Sequence, residues 1–322
     1  MINIIILIVS FAALLWSASH LVKGASGIAA YYHISPLLVG FTLVALGTSA
    51  PEIVIAIDAS LAGINDIAIG NAIGTNIANI GLVLGVTALI KPLRIQPTLL
   101  RREYPLLFLV MLFSYSLMLD GYFGVLDSCL FLIACLGFIT YLMINVKHAY
   151  VTSKVTLRFQ QNSLRKQSHR LHIICFITGL IALPLSAYFL VKSATGLAHL
   201  LGISDLVIAL TIVAIGSSLP ELATSIIAVR KGADDIAIGN ILGTNIFNLL
   251  AVMIVPGVIH PGVISDAILW RDMPFMFAAT GILLWFNFRS KSNKRRMGRR
   301  QGALLILMYC CYIAALFISA AK

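Results

Sequence analysis

Residues Thr42 to Asn79 read TLVALGTSAPEIVIAIDASLAGINDIAIGNAIGTNIAN, and residues Thr211 to Asn248 read TIVAIGSSLPELATSIIAVRKGADDIAIGNILGTNIFN. The two stretches align without a gap, so that Thr42 pairs with Thr211 and Asn79 with Asn248. Roughly half of the aligned residues are identical, which identifies an internal repeat. Each copy places one glutamate, Glu52 or Glu221, in an apolar segment directly after a Gly-hydroxyl-hydroxyl-x-Pro run. Because a carboxylate beside a helix breaker is costly inside a membrane, its duplication predicts a function.

The composition of the chain predicts a protein that crosses the membrane many times. Of its 322 residues, 60% are hydrophobic and only 11% are charged, and the mean hydropathy is +0.98. This leaves too little polar surface for a soluble globule. A span needs about 20 mostly apolar residues, and that window predicts about ten spans. The first is expected to be a retained helix, since no basic residues precede it as they would in a signal peptide. The predicted spans are Asn3 to Leu21, Pro36 to Leu61, Ile67 to Ile90, Tyr104 to Leu119, Phe123 to Ile144, Leu171 to Ala198, Leu206 to Val229, Ile236 to Ile259, Met273 to Phe288 and Ala303 to Ala320.

The basic residues predict the orientation of these spans. The net charge is +11, and if the loops alternate, almost all of the lysines and arginines fall on one side, which the positive-inside rule assigns to the cytoplasm. The opposite side has only Arg271 and Lys322, so both termini are expected to be extracytoplasmic. The membrane topology thus explains the positive net charge. The basic residues are not accompanied by aromatic residues on a common surface, so the charge does not predict a nucleic-acid partner. The residues on the cytoplasmic side are Lys23, Lys91, Arg94, Arg101, Arg102, Lys147, Lys154, Arg158, Arg165, Lys166, Arg170, Arg230, Lys231, Arg289, Lys291, Lys294, Arg295, Arg296, Arg299 and Arg300.

The same topology inverts the two copies of the repeat. The span with Glu52 runs outward, whereas the span with Glu221 runs inward. The predicted fold is therefore an all-α polytopic membrane protein of about ten transmembrane helices, arranged as two inverted five-helix repeats. We predict a first repeat over residues 1–146, a basic cytoplasmic linker over 147–170 and a second, inverted repeat over 171–322. In transporters of this kind the substrate lies near the midplane, where the repeats meet and helices are interrupted.

Both copies contain such an interruption, at Gly47 and Pro51 and at Gly216 and Pro220. Proline releases the carbonyl four residues earlier, and freed carbonyls at membrane depth must face protein, water or an ion. The groups near the breaks can coordinate a metal ion through oxygen atoms, which hard cations such as calcium prefer as ligands. They are not the His or Cys side chains that zinc and copper sites require. The candidate ligands are Glu52, Glu221, Thr48, Ser49, Ser217, Ser218, the carbonyls near Ala45 and Ala214, and the Asn71, Thr75, Asn76, Asn79 set with its counterparts Asn240, Thr244, Asn245 and Asn248.

Some of these polar residues have a structural alternative. Asn71, Thr75 and Asn79 recur every four residues and so share one helix face. Asn71 and its counterpart in the second copy could serve as ligands or as hydrogen-bonding groups between helices, and the residues leave both readings open. Asn76 and its counterpart, one residue after the threonine, are expected to face the packed side.

Four further charged residues are expected to lie outside the site. Asp58 stands towards the outer end of its span and is predicted to be a mouth or surface charge. Lys192 is predicted to extend its ammonium group to the outer interface. Asp66 and Asp235 begin their spans and suit the positive end of a helix dipole.

The motifs resemble those of a known family. GTSAPE and GSSLPE, each followed some fourteen residues later by DIAIGN and then GTNI, are similar to the paired α-repeats of the cation/calcium exchanger superfamily. The short chain, without a large cytoplasmic regulatory insert, resembles the prokaryotic sodium/calcium exchangers. The resemblance implies an antiporter in the cell inner membrane that exchanges Na⁺ for Ca²⁺ and needs no cofactor.

The resemblance also implies roles for the candidate ligands. Glu52 and Glu221 would be the central ligands, shared between calcium and sodium. Some relatives, including potassium-dependent and archaeal members, have an aspartate at the position of Asn248. The asparagine lowers the negative charge of the site and counts against potassium co-transport. The remaining implied roles are carbonyl ligands of calcium for Thr48 and Ser217, sodium ligands for Ser49, Ser218, Ala45, Ala214, Thr75 and Thr244, and closure of the middle of the site for Asn79 and Asn248.

Other functions remain as alternatives. An H⁺/Ca²⁺ exchanger of the same fold typically has a different acidic motif in the helix that follows, which DIAIGN does not resemble. A cation channel usually builds its filter by oligomeric symmetry, whereas this repeat lies within one chain. An intramembrane hydrolase would use the carboxylates as acid and base, but no nucleophile with a base is evident. The expected partners are therefore the two ions and the lipid bilayer, with no obligatory protein partner and no enzymatic activity.

Overall fold

The described part of the chain is almost entirely helical. A computed structural model describes residues 2–95, 102–152, 168–201, 214–289 and 296–320. The α-helices are α1 (Ile2–Tyr32), α2 (Pro36–Val39), α3 (Ala45–Thr48), α4 (Ala50–Leu61), α5 (Asn65–Ala78), α6 (Leu84–Ile90), α7 (Glu103–Met118), α8 (Val125–Thr152), α9 (His169–Leu200), α10 (Ala214–Ser217), α11 (Leu219–Arg230), α12 (Asp234–Phe247), α13 (Ile254–Ile259), α14 (Met273–Arg289) and α15 (Arg299–Ala320). Turns of π-helix occupy Gly40–Val44, Asn79–Val83, Asn248–Val252 and Ile268–Asp272. The strands are β1 (Leu93–Arg94), β2 (Tyr122–Phe123), β3 (Gly262–Val263) and β4 (Arg296–Met297).

Several of these helices could cross a bilayer. Within the described residues, seven helical segments are long and apolar enough to do so. They are Ile2–Tyr32, Pro36–Leu61, Asn65–Ile90, Val125–Ile144, His169–Leu200, Asp234–Ile259 and Arg299–Ser319. The predicted fourth span corresponds to the shorter helix α7, and the predicted ninth to α14. The predicted seventh span begins in residues 202–213, and most of the predicted linker falls in residues 153–167, both outside the described residues. The layout of ten spans in two repeats therefore stays a prediction.

Both predicted helix breaks are present. Helix α3 ends at Thr48 and α4 begins at Ala50, while the intervening Ser49 has φ −79° and ψ −1°. Ser218 takes nearly the same conformation, φ −88° and ψ 3°, between α10 and α11. Such angles are sparsely populated and often occur at functional residues. The proline of each motif is the second residue of the new helix, where its missing N–H would have had no intrahelical partner.

A second irregularity recurs in both copies. A five-residue turn of π-helix begins at Asn79 and another begins at Asn248, which are equivalent positions of the repeat. Because such a turn inserts one residue into an α-helix, it changes the direction of the side chains that follow, and it is frequent at functional sites. The sequence analysis did not predict these turns.

The chain divides into two compact units. The first unit consists of Met1–Thr48, Asn145–Asn240 and Cys310–Lys322, and the second of Ser49–Ile144 and Ile241–Tyr309. Each unit therefore contains segments from both halves of the chain and from both copies of the repeat.

The first unit is built around the long helices α1 and α9. Glycines bring their backbones together: a Cβ added at Gly24 would lie 2.6 Å from the Cα of Phe176, and one added at Gly179 would lie 2.7 Å from the Cα of Leu21. Small residues at a helix interface allow this approach, which membrane helices use where the hydrophobic effect cannot drive association. Lys231, after α11, joins the same unit by donating hydrogen bonds to the Ser19 carbonyl (2.8 Å) and hydroxyl (2.7 Å).

The second unit contains two short antiparallel ladders that the all-α prediction did not include. Leu93 pairs with Met297 and Phe123 pairs with Gly262, so each ladder joins a loop of the first half to a loop of the second. Within this unit α4 packs against α5 and α13, and α5 packs against the π-helical turn that begins at Asn248. These contacts place the polar segments of both copies side by side.

The contact between α1 and α9 predicts the effect of one added methyl group. Gly179→Ala places its Cβ against the α1 backbone, which cannot move without shifting the helix. Overpacking of this kind costs about 1–3 kcal/mol, so we expect a lower midpoint of thermal unfolding for the detergent-purified protein. Gly137→Ala in α8 is the matched control, because a Cβ there meets nothing within 4 Å. Equal midpoints for the two variants would contradict the packing described above.

Candidate functional site

Glu221 is a fully buried carboxylate in the first unit. It lies in the first turn of α11 and its exposed fraction is 0%. Its own backbone N–H and the Thr48 side chain are the donors that face the carboxylate. The positive end of the helix dipole also favours negative charge at this position, but burial of a carboxylate without a counter-ion still has a substantial cost. The carboxylate is therefore suited to a cation or a proton.

Thr48 of the first copy lies beside this glutamate of the second copy. Its hydroxyl group is 3.3 Å from the carbonyl oxygen of Ala45 and 3.2 Å from Oδ1 of Asn240. A hydroxyl has only one proton to donate, and Thr48 has several acceptors for it within reach. The structure thus groups Ala45, Thr48, Glu221 and Asn240.

The other first-unit candidates lie at the second helix break. Ser217 is the last residue of α10 and Ser218 lies in the break itself. The Ser218 side chain is buried, and its hydroxyl oxygen has no hydrogen-bond partner among the described residues. Ala214 is the first described residue before the break, where α10 begins.

The second unit contains the other glutamate. Glu52 is 0% exposed and lies in the first turn of α4. This helix begins directly after Ser49, which is also buried. Thr75 and Thr244 are buried on α5 and α12, and the Thr75 hydroxyl oxygen has no partner among the described residues. Both glutamates thus occupy equivalent positions, each at the start of a helix that follows a break.

Four buried asparagines form a crossed network in the second unit. Asn76 donates from Nδ2 to the backbone carbonyl of Asn245 (2.9 Å), and Asn245 donates from Nδ2 to the backbone carbonyl of Asn76 (3.3 Å). Asn79 donates from Nδ2 to Oδ1 of Asn245 (3.0 Å), and Asn248 donates from Nδ2 to Oδ1 of Asn76 (3.1 Å). The exchange is symmetric between the two copies of the repeat.

This network determines which atoms stay available. Asn79 and Asn248 use their NH₂ groups inside the network, and the Oδ1 atom of each is buried without a donor among the described residues. Buried oxygens of neutral amides and hydroxyls, placed with carboxylates, are typical ligands of calcium and sodium. Asn76 and Asn245 do face packed neighbours, as predicted, but sequence reasoning missed that they hold the two candidate ligands. Their spacing of three residues from Asn79 and Asn248 is the signal that could have shown it.

The four charged residues predicted to lie outside the site are exposed or stand in the first turn of a helix. Asp58 is exposed, and so is Lys192, whose Nζ lies 5.7 Å from the ring centroid of Tyr188. Asp66 lies in the first turn of α5, where its carboxylate also accepts a hydrogen bond from the Ser265 backbone N–H (3.1 Å). Asp235 lies in the first turn of α12.

The comparisons with known proteins agree with these features. The family model for "Sodium/calcium exchanger protein" matches residues 2–146 and 171–318. A relative from Alkalimonas amylolytica named CaxA is 42% identical over 318 residues, which cover 98% of each chain. The inner membrane protein YrbG of Escherichia coli K12 is 36% identical over 314 residues, covering 97% of this chain and 96% of the relative.

A solved structure shows the same fold. The sodium-calcium exchanger NCX_Mj superposes with a TM-score of 0.82 and 30% sequence identity, over 98% of this chain and 99% of that chain. The match with the family model spans nearly the whole sequence and includes both copies of the repeat. The chain therefore belongs to the sodium/calcium exchanger protein family.

Proposed function

We propose that this protein is a secondary antiporter that exchanges Na⁺ for Ca²⁺ by alternating access. Membership of an exchanger family supports a transporter rather than an enzyme. The observation that carries the proposal is a set of buried oxygens: the fully buried carboxylate of Glu221, and the Oδ1 atoms of Asn79 and Asn248, which have no donor among the described residues. Oxygen atoms that are buried and lack donors are costly unless a cation or proton satisfies them.

The site of exchange in this proposal is built around Glu52 and Glu221. Two carboxylates neutralise one divalent ion, or they bind sodium ions in its place. The predicted inversion of the repeat supports a single site, because it would bring equivalent segments to the midplane from opposite directions. The proposed remaining ligands are the carbonyl oxygens of Thr48 and Ser217 for calcium, and Ser49, Ser218, Ala45, Ala214, Thr75 and Thr244 for sodium, with Asn79 and Asn248 between them.

Sodium is proposed as the coupling ion. The buried groups around the helix breaks include hydroxyl and amide oxygens as well as carboxylates, which suits binding of a metal ion better than transfer of a proton alone. The solved relative is named a sodium-calcium exchanger. An H⁺/Ca²⁺ exchanger and a cation channel are the competing functions, and flux measurements separate them.

The proposed location is the cell inner membrane. The chain is a multi-pass membrane protein by its apolar helices, and its relative YrbG is named an inner membrane protein. The distribution of lysine and arginine supports an orientation in which both termini are extracytoplasmic. No cofactor or obligatory protein partner is needed for exchange at such a site.

Helices α1 and α9 are proposed to move together as the gate. Their backbones are in close contact at Gly24 and Gly179, and they are poor in charge, which would allow them to slide together along the helices of the site. Their movement would open the site to one side of the membrane at a time.

Ion gradients provide the first test of exchange. Proteoliposomes preloaded with sodium should accumulate radioactive calcium only while an outward sodium gradient exists. Glu52→Gln and Glu221→Gln should each reduce the initial rate at least about 100-fold, since each removes about half of the charge that balances calcium. Asp58→Asn should keep the rate, because Asp58 is exposed. Uptake that follows a proton gradient alone would establish a proton exchanger, and uptake without any gradient dependence would establish a channel.

Thermal unfolding provides a test of cation binding at Glu221. A ligand present at about 100 times its dissociation constant stabilises the folded state by about 2.7 kcal/mol. Saturating calcium should therefore raise the unfolding midpoint of the purified wild-type protein and of Asp58→Asn, but not that of Glu221→Gln. An unchanged calcium shift in Glu221→Gln would remove Glu221 from the site.

Labelling of single cysteines tests alternating access. Ala50→Cys and Leu219→Cys, in a background without the five native cysteines, place a thiol directly after each break. An impermeant thiol reagent should label the two positions at rates that change when sodium replaces calcium. Rates that stay the same in both ions, from both sides of the membrane, would contradict a moving gate.

A further inference from the structure

The crossed asparagine network suggests a role for two residues that are not themselves proposed ligands. We propose that Asn76 and Asn245 are positioning residues, each of which fixes the amide orientation of the candidate ligand from the other copy of the repeat. The inference rests on the proposed function, since it concerns how Asn79 and Asn248 present oxygen to a cation.

An asparagine ligand has an orientation problem that an aspartate lacks. Its amide has an oxygen that accepts and an NH₂ group that donates, and a half-turn of the side chain exchanges them. Only the oxygen can bind a cation, so an amide turned the wrong way would direct its NH₂ group at the ion. A buried asparagine in a cation site therefore needs a neighbour that distinguishes its two ends.

Asn245 supplies this distinction for Asn79. The Oδ1 atom of Asn245 can only accept, so the nearest group of Asn79 must be its NH₂, at 3.0 Å. Asn245 is itself fixed, because its NH₂ group donates to the backbone carbonyl of Asn76 (3.3 Å), and a backbone carbonyl cannot reverse its polarity. The orientation of Asn79 is thus determined by the main chain through one intermediate side chain.

Asn76 does the same for Asn248. Its NH₂ group donates to the backbone carbonyl of Asn245 (2.9 Å), which leaves its Oδ1 to accept from the NH₂ group of Asn248 (3.1 Å). The result is the observed one: the Oδ1 atoms of Asn79 and Asn248 are both buried and both without a donor among the described residues. All four side chains are at most 1% exposed, so water does not compete for these groups.

An aspartate at the ligand position removes the need for the positioning residue, because both of its terminal atoms are oxygens. This gives a test that separates positioning from packing. The four proteins are wild type, Asn76→Leu, Asn248→Asp and the double variant, each as the full chain in detergent. Equilibrium dialysis with radioactive calcium ion alone measures the dissociation constant.

In the wild-type background we expect Asn76→Leu to weaken calcium binding about tenfold, because the Asn248 amide is then free to turn. In the Asn248→Asp background the same substitution should leave binding unchanged or strengthen it. There the carboxylate needs no orientation, and loss of the Asn76 Oδ1 removes an acceptor that faces the new charge. The non-additivity of neighbouring substitutions measures their coupling directly.

A purely structural role for Asn76 would weaken binding by the same factor in both backgrounds, and that result would overturn the inference. So would an absence of calcium binding in Asn248→Asp, since its oxygen occupies the ligand position. The mirrored cycle of Asn245→Leu with Asn79→Asp must give the same pattern, and it stands in if Asn76→Leu does not fold. Loss of folding in both leucine variants would assign the two residues to helix packing. Failure of the wild-type protein to bind calcium would instead refute the proposed function.

Discussion

A buried polar atom must find a partner, and at the candidate site that constraint falls on a few oxygens. The carboxylate of Glu221 is fully buried, and the Oδ1 atoms of Asn79 and Asn248 have no donor among the described residues. Some buried hydroxyls elsewhere, such as those of Thr87 and Ser114, donate to the carbonyl four residues earlier. In the proposed exchange, a cation that binds and leaves would satisfy the buried oxygens of the site.

The repeat explains how such groups are held in place. Each glutamate lies in the first turn of a helix that begins after a serine in a sparsely populated conformation, and Asn79 and Asn248 each begin a turn of π-helix. Within each unit, polar residues of one copy contact those of the other, as Thr48 does with Asn240 and as Asn79 does with Asn245. Duplication of the sequence thus provides both the candidate ligands and the groups that contact them.

Local features of this architecture could be predicted from the sequence, and tertiary ones could not. The breaks at Ser49 and Ser218 could be predicted because Pro51 and Pro220 lack the backbone N–H that would continue a helix. The first-turn positions of Asp66 and Asp235 could be predicted because the N-terminal end of a helix favours negative charge. The π-helical turns at Asn79 and Asn248 share no proline or glycine signal, since Gly81 lies only in the first of them. The pairing of Asn76 with the backbone of Asn245 depends on residues more than a hundred positions apart, so no local pattern reports it. The same holds for the ladder between Leu93 and Met297.

The central claim is that Glu52 and Glu221 serve one site rather than two. The stoichiometry of calcium binding to the purified protein tests it most directly. Equilibrium dialysis at saturating calcium should give one calcium ion per wild-type chain and none for either Glu52→Gln or Glu221→Gln. Two calcium ions per wild-type chain, with one retained in each single variant, would show that each glutamate has its own site and would contradict the account.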